Sequence, residues 1–161
     1  MFSTHPSATA VPAGESGEQS ARRAVMSICT GARADELSAI IAAAAPAVAA
    51  TDLRPVESGL VMLRGRMGGD GRAFNLGEAT VTRAAIALPD GRTGFAWQLG
   101  RDARKARAAA IIDALWQGEE RAAVEEALAP VRKRIAEAAA REARRTAATK
   151  VNFFTMVRGD D

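Results

Sequence analysis

A covalent nucleophile needs a neighbouring base, and this chain offers little of either: one histidine, His5, and one cysteine, Cys29. His5 lies in an opening stretch of Ser, Thr, Pro, Gly and Ala, too poor in large apolar side chains to offset the entropy of ordering. Cys29 falls on the apolar stripe of a helix, where a buried, inert thiol is the ordinary outcome. Neither residue is placed for a Cys–His or Ser–His relay. A zinc or iron–sulfur site needs several Cys or His ligands, so no metal site is expected. The pattern Gly-x4-Gly-Lys-Ser/Thr is absent, and Gly68-Gly69-Asp70-Gly71 reads as a hairpin turn rather than a phosphate cradle. No residue is assigned a catalytic role, and self-contained catalysis is poorly supported.

Three other features carry more information. Arg64 and Arg66 are two apart on a strand and so share a face, and Arg83 on the following strand joins them if the hairpin register allows. Gly100-Arg101-Asp102-Ala103-Arg104-Lys105 then opens a helix with cations. Cations in a first turn oppose the helix dipole at a cost of about 0.3–1 kcal/mol each, and an anion bound by them and the free N–H groups relieves that cost. Arg101, Arg104 and Lys105 fall on one side at i, i+3 and i+4 spacing, which suggests a phosphate or a partner's carboxylate; Asp102 as a cap offsets part of the charge, and solvated surface cations satisfy the same pattern. The third feature is the ending Lys150–Gly159, which holds Phe153, Phe154, Met156 and Arg158. Termini fray unless they dock, and an exposed Phe-Phe-Thr-Met-Val run is adhesive. Its own sheet is one place for it to pack, and a partner is the favoured one.

The elements that position these groups follow from periodicity. Residues 1–18 are expected to form a flexible tail and 19–161 a single domain. Glu18–Thr30 sets Ala21, Val25, Ile28 and Cys29 along one stripe before Gly31, and Asp35–Ala45 points Leu37, Ile40 and Ile41 inward before Pro46. Strands are expected over Val56–Met67, Glu78–Leu88 and Thr93–Leu99, with Pro89-Asp90-Gly91 as a hairpin turn. On the last strand Phe95, Trp97 and Leu99 alternate onto one face, as in a half-buried strand. Asp102 caps a helix that runs to about Gly118. From about Glu119 a long helix presents Val124, Leu128, Val131, Ile135 and Ala138 as a seam that weakens past Ile135, and Pro130 is expected to kink or split it. Helices, an antiparallel sheet of about four strands and helices again make an α+β fold.

Composition bounds the function. The chain has 161 residues, 48% of them apolar and 25% charged, a globular balance. Much of the apolar count is Ala, and there are two Trp, five Phe and no Tyr. A core built this way is thin, and thin cores in small domains lean on partners. The net charge of +3 and a pI near 9.7 suit nucleic acid, a phosphorylated substrate or an acidic partner without choosing among them. No signal peptide or membrane span is legible. With a lone cysteine, a reducing cytoplasm is the expected compartment.

From Arg22 onward the chain resembles the PhnG family of phosphonate metabolism. The resemblance is carried by Leu63-Arg64-Gly65-Arg66; by Phe74-Asn75-Leu76-Gly77-Glu78 followed by Thr80-Val81-Thr82-Arg83; by Leu99-Gly100-Arg101-Asp102 with Lys105; and by Thr149-Lys150-Val151 with Phe153-Phe154-Thr155-Met156-Val157-Arg158-Gly159. It implies an accessory subunit of the carbon–phosphorus lyase complex, in a hetero-oligomer with PhnH, PhnI, PhnJ and the ATPase-like PhnL. With PhnH, PhnI and PhnL such a subunit is associated with displacing adenine from ATP by methylphosphonate, giving α-D-ribose 1-methylphosphonate 5-triphosphate. The iron–sulfur cluster and S-adenosylmethionine of the later bond cleavage belong to PhnJ, and no cofactor is implied for this chain itself. The resemblance brings no assigned catalytic residue. Arg64, Arg66, Arg83, Arg101 and Lys105 become candidate contacts to phosphate, substrate or an acidic partner, since guanidinium forks match such oxygens; Phe153, Phe154, Met156 and Arg158 become candidate docking residues.

Two other classes of function fit the sequence less well. Two short helices before a hairpin resemble a winged helix-turn-helix regulator, but Asp35–Ala45 carries no Arg or Lys for phosphates. A stand-alone enzyme ranks last for want of catalytic groups. Neither a nucleic acid nor a membrane is an expected partner.

Overall fold

A computed structural model describes residues 17–67 and 71–149. The expected tail over residues 1–18 falls largely outside them, although Gly17 and Glu18 already belong to the first helix. The order is α1 (Gly17–Gly31), α2 (Ala34–Ala44), β1 (Thr51–Arg66), β2 (Ala73–Ala87), β3 (Thr93–Leu99), α3 (Ala103–Trp116) and α4 (Arg121–Ala148). The α+β expectation holds, with three antiparallel strands in the order β1-β2-β3 rather than about four. The second strand starts at Ala73 instead of Glu78, so it takes in Phe74-Asn75-Leu76-Gly77. A bulge opposite Leu63 and Arg64, with Gly77 at φ +150°, absorbs the extra residue and lets β2 continue through it.

Helix α3 is the centre of the molecule. Ten of its fourteen residues are buried, with β2 and β3 on one side and α1, α2 and α4 on the others. Asp102 Oδ1 accepts from Lys105 N at 2.9 Å and starts it, as its sequence position requires. Its sheet side is alanine, so it lies unusually close to the strands. Gly94 marks the nearest approach, where a Cβ would overlap the Ala110 carbonyl oxygen and stand 2.8 Å from Ala114 N. At its nearest approach only small residues fit beneath the helix, and β3 turns Gly94 and Ala96 toward it there, with the larger buried Gln98 farther along. Phe95, Trp97 and Leu99 do alternate onto one face, but it is the outer face, and they remain 50%, 57% and 68% exposed.

The surrounding helices are pinned by charged side chains. Asp113, 2% exposed, accepts both arms of the Arg22 guanidinium at 2.7 Å and the main-chain N–H of Phe95 at 2.9 Å. One carboxylate thereby ties α1 and β3 to α3. Arg92, after the hairpin turn, donates to Asp90, to Glu120 and to the carbonyls of Ala114 and Leu115, so it closes the C-terminal end of α3, where a cation opposes the dipole favourably. Arg134 of α4 grips Glu36 at 2.8 and 2.7 Å.

The seam on α4 appears as read: Val124, Leu128 and Val131 are buried, Ile135 and Ala138 are half-buried, and every residue from 139 to 149 is exposed. Pro130 does not split the helix, which is continuous over 28 residues. The hydrogen bond that proline forfeits would go to the carbonyl of Glu126, and both residues lie on the exposed side, where solvent can serve that carbonyl.

Candidate functional site

The outer face of the sheet gathers the most chemistry. Register sets Glu57 opposite Arg83 and Arg83 opposite Trp97, so the three share a face. Arg83 Nε donates to Glu57 Oε1 at 2.8 Å, and the Arg54 guanidinium reaches the same oxygen. The Arg83 guanidinium also stands 6.0 Å from the centre of the Trp97 ring, at the outer limit of a cation–π contact. Gly59 leaves room among these side chains, and a cavity of about 190 Å³ opens there, lined by Glu57, Gly59, Val61, Val81, Arg83 and Trp97.

The Arg83 hydrogen bond, helped by Arg54 and opposed by desolvation, holds the Glu57 carboxyl below its usual range. Glu57 is therefore a stable anion and a poor base, and two guanidiniums around it leave a net positive hollow with an aromatic wall. The arrangement suits recognition of an anionic group rather than proton transfer.

Arg64 and Arg66 sit elsewhere. They share a face, as expected, with Asn75 and Ala73 as register partners, and both are exposed. Register does not bring Arg83 to them: its partner Glu57 is seven residues before Arg64, about 23 Å along a strand and, at odd spacing, on the opposite face. Arg66 Nη1 donates to the Gly71 carbonyl at 3.1 Å, and Arg64 has no ion pair among the described residues. The ribbon carrying them runs beyond the helices. Leu60 and Met62 on the helix side are 61% and 53% exposed, and Leu63, Phe74 and Leu76 are exposed as well.

The junction of β3 and α3 divides its cations. Lys105 Nζ donates to the Thr30 carbonyl at 2.7 Å and so closes the C-terminal end of α1, a favourable place for a cation. Arg101 and Arg104 are exposed and have no ion pair among the described residues. Arg104 joins Arg107 on the wall of a cavity of about 440 Å³ between α2 and α3. Arg107, which sequence reasoning passed over, is held by Asp52 at 2.7 Å and the Ala50 carbonyl at 2.8 Å. The Arg22–Asp113 pair was also missed, although an aspartate inside the run Ala-Ile-Ile-Asp-Ala-Leu-Trp signals a buried charge with a partner.

Burial pushes the Cys29 thiol up to about 12, which leaves it protonated and inert. Among the described residues no group of three His, Cys, Asp or Glu could hold a metal ion, and no helix is long and apolar enough to cross a membrane. His5, Phe153, Phe154, Met156 and Arg158 lie outside the described residues.

Comparison with known proteins gives two findings. The family model described as phosphonate metabolism protein PhnG matches residues 20–159. The alpha-D-ribose 1-methylphosphonate 5-triphosphate synthase subunit PhnG of Rhizobium meliloti (strain 1021) is 52% identical over 110 residues, which covers 68% of this chain and 70% of that protein.

Proposed function

Since the chain belongs to the PhnG family of phosphonate metabolism proteins, we propose that it is an accessory subunit of a carbon–phosphorus lyase system. In this reading it acts with PhnH-, PhnI- and PhnL-like proteins to form α-D-ribose 1-methylphosphonate 5-triphosphate from ATP and methylphosphonate, with loss of adenine. The observation that carries the reading is the match to a curated synthase subunit over two thirds of both chains. It is supported by an inert Cys29, by the want of an acid–base pair around the Glu57 hollow, and by an outer sheet face rich in exposed apolar side chains, as interaction surfaces are. The chain is a subunit of a hetero-oligomer that includes a PhnJ-like protein, which holds the iron–sulfur cluster and S-adenosylmethionine. It binds no cofactor itself, is inactive alone and works in the cytoplasm.

Arg64, Arg66, Arg83 and Arg101 contact the anionic substrate or acidic partner surface, and Lys105 contributes by fixing α1 against the helix start beside Arg101. Phe153, Phe154, Met156 and Arg158 dock on a neighbouring subunit. The nucleic-acid reading finds no support in α2, which packs against α3 and α4 and bears Asp35 and Glu36 in its first turn.

The test is growth on methylphosphonate as sole phosphorus source, together with co-purification of the PhnI-like subunit. Deletion of this chain should abolish growth, and survival would refute the subunit reading. Arg64→Glu and Arg101→Glu should each impair growth or assembly; if both variants grow and assemble normally, the anion-contact assignment is wrong.

A further inference from the structure

Strand β3 is an edge of the sheet. Leu88 N donates to Arg92 O, and Gly100 N to Thr80 O, so even-numbered residues of β3 bond to β2 and odd-numbered ones turn their main-chain groups outward. Helix α3 closes half of that edge. Phe95 N donates to Asp113 Oδ2, and Gln117 Nε2 donates to the Thr93 carbonyl at 2.9 Å. The N–H and C=O of Trp97 take no partner among the described residues. Beside them a groove of about 560 Å³ runs between the edge and α1, lined by Arg23, Met26, Ser27, Thr30, Phe95 and Trp97. A free edge next to a helix is where extended peptides add as a further strand, and an apolar edge left open invites pairing.

The sequence holds a segment of that kind. In Val151-Asn152-Phe153-Phe154-Thr155-Met156-Val157 Val, Phe and Thr predominate, all favoured in strands. It follows α4, which meets the C-terminal end of α1 where Ile135 lies against Gly31. The thirteen residues from there to Ala148 carry the chain about 20 Å farther at 1.5 Å per residue. An extended return gains about 3.3 Å per residue, so roughly six residues, through Thr155, are spent in regaining the level of Ile135. The near end of the groove, Thr30, lies one residue from that contact. Only Met156 and Val157 of the run would then be left at the level of its own groove, whereas the groove of a second copy can take the whole run.

We propose that residues 150–158 of one copy add as a strand to the β3 edge of a second copy, at Trp97, and that the exchange is reciprocal. This rests on the docking assignment of Phe153 and Phe154 made above and not on the synthase reading, which growth on methylphosphonate tests separately.

The experiment is sedimentation of the full chain from about 1 to 100 µM, with folding checked by circular dichroism. The wild type should dimerise. Phe153→Ser/Phe154→Ser should weaken the dimer by about 100-fold, as loss of aromatic anchors does. Trp97→Pro should do the same while sparing the β2 ladder, because the Trp97 N–H faces outward. Mixing the two variants should restore heterodimers, since one keeps its tail and the other its groove. If Trp97→Pro does not fold, a labelled peptide of residues 150–159 should bind the Phe153→Ser/Phe154→Ser chain saturably. A wild type that stays monomeric at 100 µM, a dimer indifferent to the tail substitutions, or a failure of the mixture and the peptide alike overturns the proposal.

Discussion

Gly94 of β3 lies directly beneath Ala110 of α3, so close that a methyl group on Gly94 would overlap the Ala110 carbonyl oxygen. The obstacle is backbone on both sides and cannot swing away as a flexible side chain would. Gly94→Ala should therefore cost about 3 kcal/mol, the upper end for overpacking, read as a lower urea midpoint at unchanged slope. An unchanged midpoint would mean that α3 does not approach the sheet this closely.

Arg22 and Asp113 make an unequal pair, with side-chain exposures of 38% and 2%. Removing the guanidinium strands a buried carboxylate, whereas removing the carboxylate leaves a cation that water can reach. Arg22→Ala should cost about 3 kcal/mol, and Asp113→Asn, which keeps an acceptor for Phe95 N, about 1–2 kcal/mol. A double-mutant cycle should show positive coupling; additive losses would deny that the two residues act on each other.

Cys29 gives the protein an alkaline limit. Its thiol is pushed up to about 12, against about 8.5–9 in an unfolded chain. The folded state thus holds its proton longer than the unfolded state, and the stability this provides is full below about pH 9 and drains away toward pH 12, at no more than about 1.4 kcal/mol per pH unit. Cys29→Ala should flatten that part of the stability profile. At pH 8 the native thiol should ignore a disulfide reagent that the unfolded chain consumes at once.

The acid limit comes from paired carboxylates. Hydrogen bonds from Arg134, Arg92 and Arg132 hold Glu36, Glu120 and Glu125 below their usual range. The unfolded chain takes up protons at these positions first, near pH 4.3, so their contribution is complete above that pH and is lost as the pH falls through the depressed folded values. Glu120→Gln should lower stability at pH 7 and make the acid transition shallower. A slope identical to that of the wild type would show that Arg92 does not select the charged form.

What could be read from sequence was what local chemistry decides. Asp102 starts its helix because its own side chain reaches Lys105 N, and Pro89-Asp90-Gly91 turns because Gly91 accepts φ +88°. The α4 seam was legible down to its decay after Ile135. Hidden were relations set between distant segments. Lys105 could be grouped with Arg101 and Arg104 by spacing, but its reach to Thr30, 75 residues earlier, has no local signal. Arg83 could be placed near Arg64 and Arg66 only if the hairpin register allowed, and the β1–β2 register sets it opposite Glu57 instead. Trp97 was read on a half-buried face because the alanines of α3, which claim the other side, say nothing in sequence about how near they lie.

The ribbon of β1 and β2 that overshoots the helices is apolar on both sides, with Leu60 and Met62 on one and Leu63 on the other. A two-stranded ribbon by itself is marginal in water. To dry it, an assembly must present two surfaces, either by wrapping around the ribbon or by closing on it from opposite directions.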